Sequence, residues 1–214
     1  MRKYGCLIAI VVAVLIFGMY LMGVYNGLVG SQQAVESQWG QVQNAYQRRA
    51  DLIPNLVATV KGSAAFEQTT LREVVEARSR VGQITPQATA DILNDPQKFQ
   101  QAQQAQDALG SALSRLLVVV ERYPELKSTS AFQGLMVAIE GSENRINVER
   151  HNFNTTAQDY NTRVRRFPAA LFASMMGFQP KPYFQSAPGA ETAPKVDFGP
   201  TGTGAPAPAP NPGR

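Results

Sequence analysis

The sequence has one cysteine, Cys6, and one histidine, His151. A lone cysteine excludes an intrachain disulfide. A lone histidine, with Val148 three residues before it, lacks the paired Glu-x-x-His motifs from which helical bundles build di-metal centres. His151 therefore reads as a surface or flanking residue rather than a ligand. Also absent are a P-loop, a Gly-x-Gly-x-x-Gly turn to cradle phosphate and a Gly-x-Ser-x-Gly elbow to raise a nucleophile. Aromatic residues make up only 8%, and no alternating strand pattern occurs between residues 25 and 184. The net charge of +4 is mixed along the chain. Its one tight basic cluster, Arg163, Arg165 and Arg166, has no interleaved aromatics on which bases would stack, which disfavours nucleic acid and leaves anionic headgroups or an acidic partner. No catalytic, cofactor-binding or metal-binding residue is assigned, and the protein is expected not to be an enzyme.

What is present begins with an apolar run. Residues 7–22 carry no charge, and the stretch from 4 to 24 is long enough, at about 1.5 Å per residue, to cross a hydrocarbon core of about 30 Å. The exit, Met22-Gly23-Val24-Tyr25-Asn26, has no A-x-A cleavage signal, so an uncleaved anchor is expected over residues 1–24. Tyr4, Tyr20 and Tyr25 suit the interfacial belts. Cys6 precedes the run, where a lipoprotein acylation site would not lie. Arg2 and Lys3 flank the span on one side, and residues 24–47 contain no Lys or Arg. The positive-inside rule then places the N-terminus in the cytoplasm and the following domain outside.

Beyond the span the pattern is helical. Val35, Trp39, Val42, Tyr46, Ile53, Leu56, Val60, Ala64, Leu71, Val74 and Val81 step by threes and fours, a seven-residue repeat with left-handed supercoil packing. Pro54 falls inside it and requires a kink or a tight reversal. Gly82, Pro86 and Asn94-Asp95-Pro96 mark breaks, with Asp95 as N-cap before proline at the first helical position. The next helix runs toward Tyr123-Pro124, its Gln-rich first half (97–106) reading as a solvated face. The last starts at Ser130-Ala131-Phe132-Gln133, a capping-box match, and continues to Phe167-Pro168. The expected fold is all-α: an N-terminal transmembrane helix, then an antiparallel up-and-down bundle of three long segments, or four helices if Pro54 marks a reversal, over residues 25–184. Residues 185–214, rich in Pro, Gly and Ala, are expected to be a disordered tail.

Charges interrupt the apolar seams. Arg49, Glu67, Arg78, Glu143 and Arg150 sit where apolar residues belong, and an isolated buried charge costs several kcal/mol, so they are expected to form an interhelical polar network that fixes register. Asn26, Asn55, Asn144, Asn154 and Asn161 are expected to bond across the bundle or to the backbone freed by Pro54. After Pro168, Leu171, Phe172, Met175, Met176 and Phe178 make a segment apolar nearly all round. It either caps the open end of the bundle or meets lipid or another copy, with self-association expected.

Ordered blocks along the chain resemble the LemA family. They are Tyr25-Asn26-x-Leu28-Val29, Trp39, Gln47-Arg48-Arg49-x-Asp51-Leu52-Ile53-Pro54-Asn55-Leu56-Val57, Val60-Lys61-Gly62, Ala77-Arg78, Glu121-Arg122-Tyr123-Pro124-Glu125-Leu126-Lys127, Glu140-Gly141-Ser142-Glu143-Asn144-Arg145-Ile146, Tyr160-Asn161 and Val196-Asp197-Phe198. Ser63 stands where the family pattern has an aromatic. The resemblance implies a single membrane helix, a four-helix antiparallel bundle and no established catalytic activity or cofactor. The expected function is a membrane-anchored scaffold, a homo-oligomer or the companion of a membrane-protein partner. A small-ligand or signal-sensing module coupled to the membrane helix is the alternative.

Overall fold

The computed structural model describes residues 2–61, 67–84 and 89–186, the side chains of 2–7 and 89 excepted. All regular structure among them is helical: α1 (Arg2–Lys61), α2 (Gln68–Ile84), α3 (Thr89–Asn94), α4 (Pro96–Val120), α5 (Pro124–Lys127), α6 (Ser130–Arg165) and α7 (Ala169–Phe172). The chain divides after Phe184, and of the second unit only Gln185 and Ser186 are described. The tail expected beyond them, Val196-Asp197-Phe198 included, lies outside the described residues, as do Gly62, Ser63 and Ala64.

Of the two outcomes left open at Pro54, a bend within one helix or a tight reversal, the structure has no reversal there. α1 runs unbroken through Pro54, which is exposed, while Ile53, Leu56 and Val57 on the opposite face are buried. Proline lacks the N–H that would bond the carbonyl four residues earlier. That carbonyl, of Ala50, accepts instead from Arg78 Nε at 3.2 Å. The chain reverses after Lys61, so the seam that reads as continuous from Val35 to Val81 belongs to two antiparallel helices.

α4 begins as expected, with the Asp95 carboxylate accepting from the backbone N–H groups of Gln97 and Lys98. The cap of α6 is one residue earlier than the capping-box reading: Thr129 Oγ1 accepts from the Phe132 N–H. α1, α2, α4 and α6 form the up-down-up-down bundle, with α6 packed along α1 and α2 along α4. Arg49 pairs with Glu143, and Trp39 packs on Phe153 ten positions away along each helix, a constant antiparallel register. It sets Val164 opposite Leu28 and brings the end of α6 level with Tyr25.

The core has two clusters. The far one is built from Ile53, Leu56 and Val60 of α1, Leu71 and Val74 of α2, Leu109, Leu113 and Leu116 of α4, and Phe132 and Ile139 of α6. The near one, toward the apolar end of α1, holds Trp39, Tyr46, Phe99, Phe153, Tyr160 and Phe178. Between them lies Arg49.

Candidate functional site

Arg49 is 2% exposed, which is tolerable only because its charge is met. Its guanidinium donates to Glu143 Oε1 at 2.6 Å, to the Gln106 carbonyl at 3.0 Å and to the Gln106 side-chain oxygen. One helical turn away, Arg150 donates to the Tyr46 hydroxyl at 2.9 Å and to Asp107 Oδ1 at 2.8 Å. The two arginines thus tie α1, α4 and α6 together in a polar layer. Burial raises the Tyr46 hydroxyl above its ordinary range against the lowering influence of Arg150 and Arg49, so it stays protonated at neutral pH.

Of the five charges expected in one network, Arg49, Glu143 and Arg150 belong to this layer. Glu67 and Arg78 do not. Glu67 precedes α2 and pairs with Arg122 at 3.2 Å on the exposed surface, where such pairs contribute about 0–1 kcal/mol. Arg78 satisfies the carbonyl freed by Pro54, a task expected of an asparagine amide. Gln106, Asp107 and Tyr46 are the partners the sequence reading missed. The clue for Gln106 is its phase: it follows Ala102 by four and precedes Leu109 by three, so it lies in the seam and is buried rather than solvated.

The asparagines divide as well. Asn26, Asn55 and Asn144 are exposed. Asn154 and Asn161, two turns apart on α6, each grip the backbone after α7 at two points. Asn161 Nδ2 donates to the Lys181 carbonyl and Oδ1 accepts the Lys181 N–H, at 2.8 and 2.7 Å. Asn154 does the same with Phe184, at 3.0 and 2.9 Å. Each amide mimics a peptide group and docks an extended strap, which carries the Phe184 ring to within 4.8–5.9 Å of Phe99, Phe153 and Trp39. Lys181 is buried, donates to Asn94 Oδ1 and lies over the Tyr160 ring; burial lowers its pKa, opposed by the charge of Glu36.

The segment after Pro168 is two-sided rather than apolar all round. Phe178 is 6% exposed and packs edge-on against Tyr25 at 5.5 Å, with Ala169 and Ala173 also buried. Phe172 and Met176 are half-buried. Leu171 and Met175 point outward, 60% and 84% exposed, and Phe167 joins them at 78%. The bundle end is therefore capped by Phe178, and the outward face is Phe167, Leu171 and Met175.

Two of the grooves among the described residues adjoin this machinery. One of about 570 Å³ is lined by Trp39, Gln43, Tyr46, Arg78, Ile92 and Gln106 among others. The other, about 410 Å³, runs between Tyr20, Gly23, Val24 and Gly27 of α1 and Arg163, Arg166 and Phe167 at the end of α6. Along α1, Ile8 to Met22 is apolar and, apart from the half-buried Leu21, exposed, and the stretch is long and apolar enough to cross a membrane. His151 is exposed on α6. Among the described residues, no group of three or more His, Cys, Asp or Glu is placed to hold a metal ion.

The magnetosome protein MamQ 1 of Paramagnetospirillum magneticum is 26% identical over 203 residues, covering 88% of this chain and 75% of the relative. Magnetosome protein MamQ of Magnetospirillum gryphiswaldense is 28% identical over 182 residues, covering 78% and 67%. Protein LemA of Metamycoplasma hominis is 21% identical over 166 residues, covering 78% and 71%. The model of the LemA family matches residues 38–198, most of the chain, and the chain belongs to that family.

Proposed function

We propose that this protein is a single-pass, membrane-anchored interaction scaffold that acts by positioning partners and not by catalysis. The observation that carries the reading is α1: one helix provides both the exposed apolar stretch and a full wall of the bundle core, so the bundle is held at a fixed height and orientation relative to the bilayer. The charges of the polar layer support a structural role, since Arg49 and Arg150 each bond partners on the two other helices of the layer. None of the relatives is named for a reaction. Arg2 and Lys3 set the N-terminus in the cytoplasm and the bundle outside. Self-association belongs to the proposal, but Phe178, buried in the core, takes no part in it.

Photo-crosslinking in native membranes tests the scaffold. Reactive groups at exposed Val118 and Val137 should give discrete protein adducts that disappear when residues 2–24 are removed. Adducts unchanged without the anchor would show that tethering is irrelevant, and the absence of protein adducts would overturn the scaffold. A second reading, a small-ligand sensor, is favoured by the groove of about 570 Å³, because Trp39 is 3% exposed and its indole N–H has no partner among the described residues. A ligand selective for the native state would raise the melting temperature, and Trp39→Phe would remove that rise.

A further inference from the structure

We propose that Phe167, Leu171 and Met175, with Arg163 and Arg166 beside them, form a second membrane contact: an interfacial foot that rests on the bilayer and binds anionic phospholipid headgroups. It rests on the reading of the N-terminal helix as a span. Three independent observations place the foot at the bilayer. The antiparallel register of α1 and α6 brings the end of α6 level with Tyr25, just past the last exposed apolar residues of the span. Phe178 clamps the segment to that level through its edge contact with Tyr25. Phe167, Leu171 and Met175 recur every four residues, and all are more than half exposed, while their neighbours Ala169, Ala173 and Phe178 are buried. A large apolar face on the water side of a tethered bundle would be unfavourable; at the acyl boundary it is stabilising.

The chemistry beside it selects the lipid. Among the described residues no carboxylate lies within ion-pair distance of Arg163, Arg165 or Arg166, so their charges are available to phosphate. Arg163 and Arg166 line the 410 Å³ groove whose opposite wall is Tyr20, Gly23, Val24 and Gly27. A Cβ at Gly23 or Gly27 would meet nothing within 4 Å, so the wall is smooth and the groove open. An apolar wall rising from the span and two guanidiniums at its top match an acyl chain and its phosphate, and arginine is suited to paired bonds with phosphate oxygens. A second copy of this chain would have to supply acidic groups at this height, and α1 carries none before Glu36.

Spin-label accessibility on the full chain tests this. In a Cys6→Ser background, labels are placed singly at Val14, Met175 and Val137, with one chain per nanodisc of phosphatidylcholine, with or without phosphatidylglycerol. Val14 should be accessible to oxygen and closed to a nickel chelate, and Val137 the reverse. Met175 should resemble Val14, its oxygen-to-nickel ratio rising several-fold when phosphatidylglycerol is present. Arg163→Gln with Arg166→Gln should abolish that rise. Val14 in lipid with Met175 as wet as Val137 overturns the foot and leaves the span intact, whereas a wet Val14 removes the span and the foot together. A Met175 ratio indifferent to phosphatidylglycerol overturns the headgroup site. Shielding of Met175 from both reagents, with spin coupling in discs loaded with two chains, assigns the face to another copy and overturns the proposal.

Discussion

The two halves of the bundle, on either side of Arg49, solve the same packing problem with different residues. The far half is aliphatic, with Phe132 its only fully buried aromatic among the described residues; the near half is filled by Trp39, Tyr46, Phe99, Phe153, Tyr160 and Phe178. The difference follows from what encloses each half. Around the far core stand α1, α2, α4 and α6, and four regular helices with heptad seams interdigitate well with Leu, Ile and Val. α2 ends at Ile84, so the near core is closed partly by α3 and by an extended strap, and broad rings fill the irregular space that remains. A bundle can lose most of a helix from one end if aromatic volume and side-chain amides take over its work.

The largest effect that probes this comparison is on the near core. Phe153→Ala removes a fully buried ring that touches Trp39, Phe99 and Phe184, and should cost about 3–5 kcal/mol. Hydrogen exchange should show lost protection in α3 and the strap before α2 and the far end of α4. Uniform loss along the chain would mean that the halves unfold as one and differ only in composition.

The layer between the halves gives the next effect. Glu143→Ala leaves Arg49 with Gln106 alone and should lower stability by about 1–3 kcal/mol, whereas Glu67→Ala should stay within about 0.5 kcal/mol. Equal denaturant midpoints for the two variants would show that the buried guanidinium does not depend on its carboxylate.

Smaller still is the coupling on the far side. Arg78→Ala leaves the Ala50 carbonyl to water and should cost at most about 1 kcal/mol, but little once Pro54→Ala restores the backbone donor. Additive losses in this double-mutant cycle would separate Arg78 from the proline.

The finest test is alkaline. The Tyr160 hydroxyl is buried without a partner among the described residues, and burial, helped by the charge of Glu36, pushes its pKa up to about 12. Its folded value lies above that of the unfolded chain, so its stabilising contribution is full below pH 10 and is lost as the pH rises toward 12. Tyr160→Phe should therefore flatten the fall in stability over that window. The lowered pKa of Lys181 acts with the opposite sign and is common to both proteins. Identical slopes would show that Tyr160 ionises as readily when folded.

Much of the fold was legible because helical seams are periodic. Val35, Trp39, Val42, Tyr46, Ile53, Leu56 and Val60 are all buried, as the spacing requires. The position of the reversal was not legible, because the α2 seam happens to continue the phase of α1 across the turn, and Pro54 offered a stronger local signal than residues 62–66. The polar layer was half visible: a charge in a seam announces itself, but a neutral partner such as Gln106 resembles any other glutamine until its phase is compared with Ala102 and Leu109. The strap was invisible to periodicity, since extended backbone held by Asn154 and Asn161 has no repeat. The apolar content after Pro168 was plain, yet its division between Phe178 inside and Met175 outside depends on the level at which α6 ends.

The continuity of α1 turns chain length into an angle. Each residue added between Val24 and Leu28 would lift the bundle by about 1.5 Å and swing it through about 100°, carrying Phe167 around the shaft and away from its place beside Gly23 and Gly27. An insertion of about seven residues, two whole turns, would bring the same side of the protein round again, but at a distance of about 10 Å from where it began. The segment that joins anchor to bundle is accordingly a phase-keeping shaft, in which a change of length is felt as rotation, while the connections at the far end of the bundle can lengthen without turning anything.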